Sequence, residues 1–230
     1  MCYVCWMHEE ISVIIPALNE EKYLSDTIES LLGQQGLKEI IVVDGGSQDK
    51  TVAIAKEFSQ VKLILSERGR AFQMNAGAEM AEGKVLFFIH ADTLLPHGAL
   101  KEILTALSDP TVKAGSFFLR FQEDHILLNI IASLTRINIP LSTFGDQGLW
   151  VRKEDFVRVG GYPTIPILED VEIQYPLREL GHFRKLDLAL ITSGRRFIKN
   201  GILYQIWLDA CILLGYICGV SFETLAKWYR

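Results

Sequence analysis

The chain has 230 residues, 49% of them hydrophobic, with 23 basic against 28 acidic side chains and a formal charge of −5. That length predicts one domain, residues 1–230, burying roughly 70% of the surface its unfolded form exposes, so neither disulfides nor a structural metal is needed to hold it. The acidic balance leaves no basic footprint for a phosphate backbone and excludes nucleic acid as the main partner, and a 22% charged fraction excludes a disordered chain.

At the amino end Cys2 and Cys5 form a Cys-x-x-Cys pair, with Cys211 and Cys218 at the other end. Zinc needs two further ligands and a redox pair needs a strand-to-helix turn, so plain thiols in a reducing, cytoplasmic compartment are expected. No basic stretch leads into an apolar run with a cleavage site, so no secretory signal is expected, and Met7 offers a second start.

Residues 11–15 are an apolar run closed by Pro16, and residues 20–35 repeat Tyr23, Leu24, Ile28, Leu31 and Leu32 at helical spacing. A buried strand followed by an amphipathic helix is predicted. The pattern recurs at 39–44 with 49–58, at 61–65 with 69–80, and at 84–90 with 97–107. Four such units predict a parallel sheet covered on both faces, with ligands outside the carboxyl ends of the strands. The polar clusters fall at those ends: Asn19-Glu20, Asp44 to Ser47, Arg68 to Arg70, and His90-Ala91-Asp92. Beyond residue 108 the alternation lapses. A strand is predicted at 112–121, an apolar helix at 124–138, a short strand at 149–152 and a helix at 169–180.

Asp44 ends an apolar strand, where its carboxylate either accepts an N–H of a uracil-type base or closes a turn before the next helix. Asp49 reads as a helix N-cap or its neighbour. Gly69 permits close backbone approach, and Arg68 and Arg70 either hold phosphate or ribose oxygens or are solvated. Strand alternation turns His90 and Asp92 to one side, where they face a diphosphate-bound Mg2+ or Mn2+ or are simply satisfied polar groups. Glu169 and Asp170 either cap a helix or take a proton. Asp146 and Gln147 line a pocket or form a turn. Arg195 and Arg196 bind a diphosphate or form a basic edge, and His182 reads as a surface histidine.

Ile14-Ile-Pro-Ala-Leu-Asn-Glu20, Val42-Val-Asp-Gly-Gly-Ser-Gln-Asp-Lys-Thr51, His90-Ala-Asp92 and Leu168-Glu-Asp170 stand in the order and spacing of a known family. The chain resembles a glycosyltransferase family 2 enzyme of the GT-A fold, a mostly parallel sheet flanked by helices. It is most similar to a small bacterial subgroup with Gly-Arg-Ala-x-Gln-Met-Asn at 69–75 and Gly-Asp-Gln at 145–147. The resemblance implies a nucleotide-sugar-binding half at 11–107 and an acceptor half at 108–200. It assigns the donor to Pro16, Ala17, Asn19, Glu20, Asp44, Gly45, Arg68, Gly69, Arg70, Gln73, Asn75, His90, Ala91 and Asp92, with Arg195 and Arg196 closing over the diphosphate. It further implies Asp92 as ligand of a divalent cation, Asp170 as general base beside Glu169, and Asp146 and Gln147 on the acceptor side.

Transfer is then inverting, from a UDP-sugar to a small-molecule or lipid-linked acceptor. His90 and Gly45 depart from aspartates in the family pattern, which keeps an inactive scaffold as a rival. The absence of Gln-x-x-Arg-Trp argues for one sugar per turnover. A sugar nucleotidyltransferase or a Rossmann dehydrogenase is disfavoured because no glycine-rich loop follows the first strand.

Residues 201–220 are apolar except for Gln205 and Asp209, one turn apart. A mid-membrane aspartate costs roughly 2.5–3.5 kcal/mol, so a helix packed on the body or lying on the inner face of a membrane is expected before a span. Arg195, Arg196, Lys199, Lys227 and Arg230 flank it.

Overall fold

A computed structural model describes residues 10–229, and the Cys2–Cys5 pair lies outside them. The first half alternates as predicted: β1 (Ile11–Ala17), α1 (Leu24–Leu31), β2 (Leu37–Asp44), α2 (Thr51–Glu57), β3 (Val61–Leu65), α3 (Arg70–Met80) and β4 (Val85–Phe88). These strands pair in parallel in the order β3-β2-β1-β4. Their unbroken apolar runs reflect burial on both faces. Val13 and Ile15 pack with Leu24 and Ile28 on one side, while Ile14 and Val43 pack with Met74 and Ala78 on the other. Gly77 lets α3 lie close to the sheet, since a Cβ there would meet Ile14 Cγ2 at 2.5 Å.

The second half comprises β5 (Thr93–Leu94), α4 (Ala99–Leu107), β6 (Val112–Phe121), α5 (Ile126–Leu134), 3-10 turns at Pro140–Ser142 and Gly145–Gln147, and β7 (Leu149–Arg152). It continues with α6 (Lys153–Arg158), α7 (Glu169–Glu172), α8 (Gln174–Leu180), β8 (His182–Thr192), α9 (Arg195–Asn200), α10 (Ile202–Ile217) and α11 (Phe222–Trp228). Here the sheet is mixed, in keeping with the mostly parallel sheet the resemblance implies: β7 runs antiparallel between β4 and β6, β8 is parallel to β6, and β5 is antiparallel to β8. The reason is the connection. The chain leaves β6 at the edge where β4 also ends and returns through α5 and the two turns to that same edge, so β7 must run against both neighbours.

The helix predicted at 169–180 is two short helices. Pro176 has no N–H, and its ring conflicts with the carbonyl four residues back at Glu172, where α7 ends. The strand β8 escaped the sequence reading, although its alternating apolar residues carried the signal. At the carboxyl end α10 and α11 pack on α7 through Leu168, Val171, Ile212 and Leu225.

Candidate active site

The loops after β1 and β2 form one unit. Asn19, in the left-handed region at φ 57, which Asn tolerates, accepts the Gln48 N–H at 2.8 Å and donates its own N–H to Ser47 Oγ at 2.9 Å. The Glu20 N–H bonds Thr51 Oγ1 at 2.7 Å. Asp49 precedes α2 and accepts from Thr51 and Glu21 N–H groups, the capping role expected of it.

Asp44 is 2% exposed. Its Oδ2 accepts the N–H groups of Gly46 and Ser47 at 2.9 and 3.0 Å, while its Oδ1 is buried without a partner. One oxygen therefore closes the turn and the other has no hydrogen-bond partner. A buried acceptor left unpaired costs about 1–3 kcal/mol, a cost that a donor N–H would recover. Beneath this turn, Gln73 spends both amide hydrogens on the carbonyls of Ala17 and Val43, each at 2.8 Å, and Gly45 leaves room for it. Gln73 thus clamps the ends of β1 and β2. Asn75 likewise bonds both backbone groups of Tyr162. Arg68 is exposed.

His90, Ala91 and Asp92 follow β4. The pairing of β5 with β8 and the bond from Ser193 N–H to Asp92 O bring the end of β8 beside them. Arg195 Nη2 then lies 2.6 Å from Glu20 Oε1 and 3.2 Å from Asp92 Oδ2, with its guanidinium 4.6 Å over the Tyr23 ring. Burial raises the Asp92 carboxyl above its ordinary value, Arg195 opposes this, and Glu20 adds to it. Arg70 pairs with Glu169, Nε to Oε1 at 2.8 Å, and its Nη1 is 3.5 Å from His90 Nε2. Burial and these two arginines push His90 down to about 3, so its imidazole is neutral at physiological pH.

Leu168 has φ 64, a strained value for a branched side chain, and it turns the chain into α7. Glu169 is 2% exposed, and its carboxyl is raised by burial against the pull of Arg70. Asp170 Oδ2 accepts the Gly145 N–H at 2.7 Å. Gly145 sits between two side chains: a Cβ there would lie 2.6 Å from His90 Nε2 and 3.3 Å from Asp170 Oδ2. Asp146 is pushed up to about 7 by burial and by the charges of Asp170 and Asp92. Its neighbour Gln147 bonds Ser142 O and the Lys185 ammonium, which fixes the turn.

Glu20, Asp92, Asp146, Glu169 and Asp170 thus gather around Arg70 and Arg195 at one sheet edge. Arg196 points elsewhere, donating to Tyr229 O at 3.0 Å and lying 3.6 Å over its ring. His182 is exposed at the start of β8. Among the described residues no cluster of three or more His, Cys, Asp or Glu forms a ready metal cage. The oxygens on offer to a cation are Asp92 and the buried, unpartnered Glu20 Oε2 and Asp146 Oδ1. Tyr23, Tyr162 and Tyr229 border the site without any sequence motif to mark them.

The fold matches that of solved GT-A structures. The Staphylococcus aureus TarS fragment 1–349 superposes with a TM-score of 0.67 at 20% identity, over 80% of this chain and 60% of that one. The mannosyltransferase PcManGT from Pyrobaculum calidifontis, solved with GDP-Man and Mn2+, gives 0.67 at 23% identity, over 96% and 69%. Residues 12–148 match the model of glycosyl transferase family 2, and the chain belongs to that family. A dolichyl N-acetyl-alpha-D-glucosaminyl phosphate 3-beta-D-2,3-diacetamido-2,3-dideoxy-beta-D-glucuronosyltransferase from Methanococcus voltae is 27% identical over 83% of this chain. The probable glycosyltransferase YdaM of Bacillus subtilis is 24% identical over 80% of it. The chain spans 64% and 50% of the lengths of those two relatives.

Proposed function

We propose that the chain transfers a sugar from a nucleoside-diphosphate donor, preferentially a UDP-sugar, to an acceptor hydroxyl, one sugar per turnover and with inversion. The observation that carries this reading is the free, buried Oδ1 of Asp44 at one end of an edge whose other end holds the Asp170 carboxylate. Asp44 accepts the base N–H, and Arg195 and Arg70 face the diphosphate between them.

Asp170, steadied by the Gly145 N–H, takes the proton of the acceptor hydroxyl as its oxygen bonds to the anomeric carbon. The bond from that carbon to the diphosphate breaks on the opposite face, and the electron pair leaves with the diphosphate. Neutral His90 adds no charge there, so the two arginines take up the developing negative charge. The unpartnered Glu20 Oε2 and Asp146 Oδ1 are hard oxygen donors of the kind a divalent cation takes. Mg2+ or Mn2+ held by Asp92 and the donor's own phosphates would supply further charge neutralisation. Asp146 borders the acceptor side, and Gln147 holds its turn.

Calorimetric titration with UDP and with GDP, each with and without Mn2+, tests the donor site, and UDP binding strengthened by Mn2+ is expected. Binding of neither diphosphate would favour an inactive scaffold on the same fold. Asp170→Asn keeps an acceptor for the Gly145 N–H, so it should retain UDP binding and lose turnover by about 100-fold or more.

A further inference from the structure

We infer that the outward faces of α5, α9 and α10 form one surface that lies on an anionic lipid bilayer. The clearest observation is that α10 is amphipathic in the inverse sense. Its polar side chains face the protein: Gln205 is 1% exposed, donates to Asp209 Oδ1 at 2.7 Å and accepts from Asn200 at 2.8 Å. Its outward stripe is apolar, with Leu203 72%, Trp207 60%, Leu214 61% and Ile217 62% exposed. In water this arrangement is unfavourable, and a contiguous exposed stripe of this size marks an interaction surface.

The stripe does not stand alone. Phe197 of α9 and Ile202 of α10 pack with Leu128 and Ala132 of α5 in one cluster, which joins the three helices side by side. The outward residues of α5 are again apolar at helical spacing, Ile126, Ile130 and Leu134 being 73%, 53% and 55% exposed, and Ile198 of α9 is 57% exposed between them.

Charge and aromatic content select lipid over a protein partner. Asp209 is the only carboxylate on these three helices, and it faces inward, whereas Arg196 and Lys199 of α9 are exposed. The neighbouring Tyr204 and Trp207 rings, 6.0 Å apart, are the amphipathic side chains that settle at a headgroup boundary. The geometry is that of a helix lying on a membrane. At 16 residues α10 is about 24 Å long, short of the ~30 Å hydrocarbon core, and no described helix is long and apolar enough to cross it.

Flotation of the protein with phosphatidylcholine vesicles, with and without phosphatidylglycerol, tests this in the absence of any sugar nucleotide, so its result is independent of glycosyl transfer. Binding to the anionic vesicles is expected, at least 10-fold weaker in a variant carrying Leu203→Glu and Trp207→Glu, and also weaker in Ile126→Glu with Ile130→Glu. These residues are solvent-facing, and unchanged circular dichroism and thermal unfolding confirm that the variants fold. Failure to float with either vesicle, or equal flotation of the variants, overturns the inference. A dimer in solution that the same substitutions disperse would also overturn it, assigning the face to a second copy of the chain.

Discussion

Arg195 and Asp92 meet at 3.2 Å, and the same guanidinium nitrogen reaches Glu20 at 2.6 Å, so a cation from the end of β8 lies between carboxylates from the ends of β1 and β4. Replacing it with glutamine removes the proposed charge-assisted partner of the donor diphosphate and leaves Glu20 facing Asp92. Because the Arg195 side chain is 40% exposed, screening moderates the effect. Arg195→Gln is expected to weaken UDP binding about 10-fold, a loss of roughly 1.4 kcal/mol, measured by calorimetry. Undiminished affinity would remove Arg195 from the donor site.

Gly145→Ala tests the geometry of the proposed base, Asp170. The added methyl meets His90 Nε2 at 2.6 Å and Asp170 Oδ2 at 3.3 Å, so either the imidazole or the carboxylate must shift. A displacement on the order of 1 Å at a reacting group costs up to about 100-fold in rate. We expect kcat to fall 10- to 100-fold, each factor approximate, while UDP affinity changes less than threefold. An equal loss in both would mean that the whole edge had collapsed.

Two groups give stability opposite pH trends. His90 is pushed from 6.5 down to about 3, so between those values the unfolded chain binds the extra proton, and this group's contribution to stability rises with pH. Asp146 is pushed from 3.8 up to about 7, so across that window the folded chain binds the extra proton, and its contribution falls as pH rises. Asp146→Asn removes only the second trend. Its Tm relative to the parent protein is therefore expected to climb by a few degrees between pH 4 and 7, followed by calorimetry, whereas a constant offset would show that Asp146 does not titrate in that range.

Asp44→Asn keeps the size of the side chain but turns one acceptor oxygen into a donor NH2. If Oδ1 receives a base N–H, UDP binding should weaken by about 10- to 100-fold, because the mismatch leaves buried polar groups unpaired. Binding of pyrophosphate, which has no base, should be unaffected. Equal losses for the two ligands would place the defect in the turn that Oδ2 closes.

Much of this architecture is written locally. Residues 61–65, 112–121 and 149–152 read as strands and are β3, β6 and β7, because apolar runs bounded by turn residues signal burial without knowledge of partners. The polar clusters at 19–20, 44–47 and 90–92 lie at one sheet edge because consecutive parallel strands must all end there. Composition and spacing also carried the apolar carboxyl-terminal helix.

Other features were settled by contacts between distant parts of the chain. Arg195 reaches Asp92 only because β8 pairs with β5, and nothing local to Thr192 through Arg196 states that register. Gln73 and Asn75 stand in the stretch that the resemblance assigns to the donor, yet their amides are spent on backbone groups of β1, β2 and Tyr162, which the spacing of the motif does not reveal. Arg196, beside Arg195 in sequence, turns to Tyr229. The sequence of α10 shows one polar and one apolar side but not which faces the body. Packing against α7, α9 and α11 turned Gln205 inward and left Trp207 outside, since register and facing are properties of pairs of elements and local periodicity describes only one.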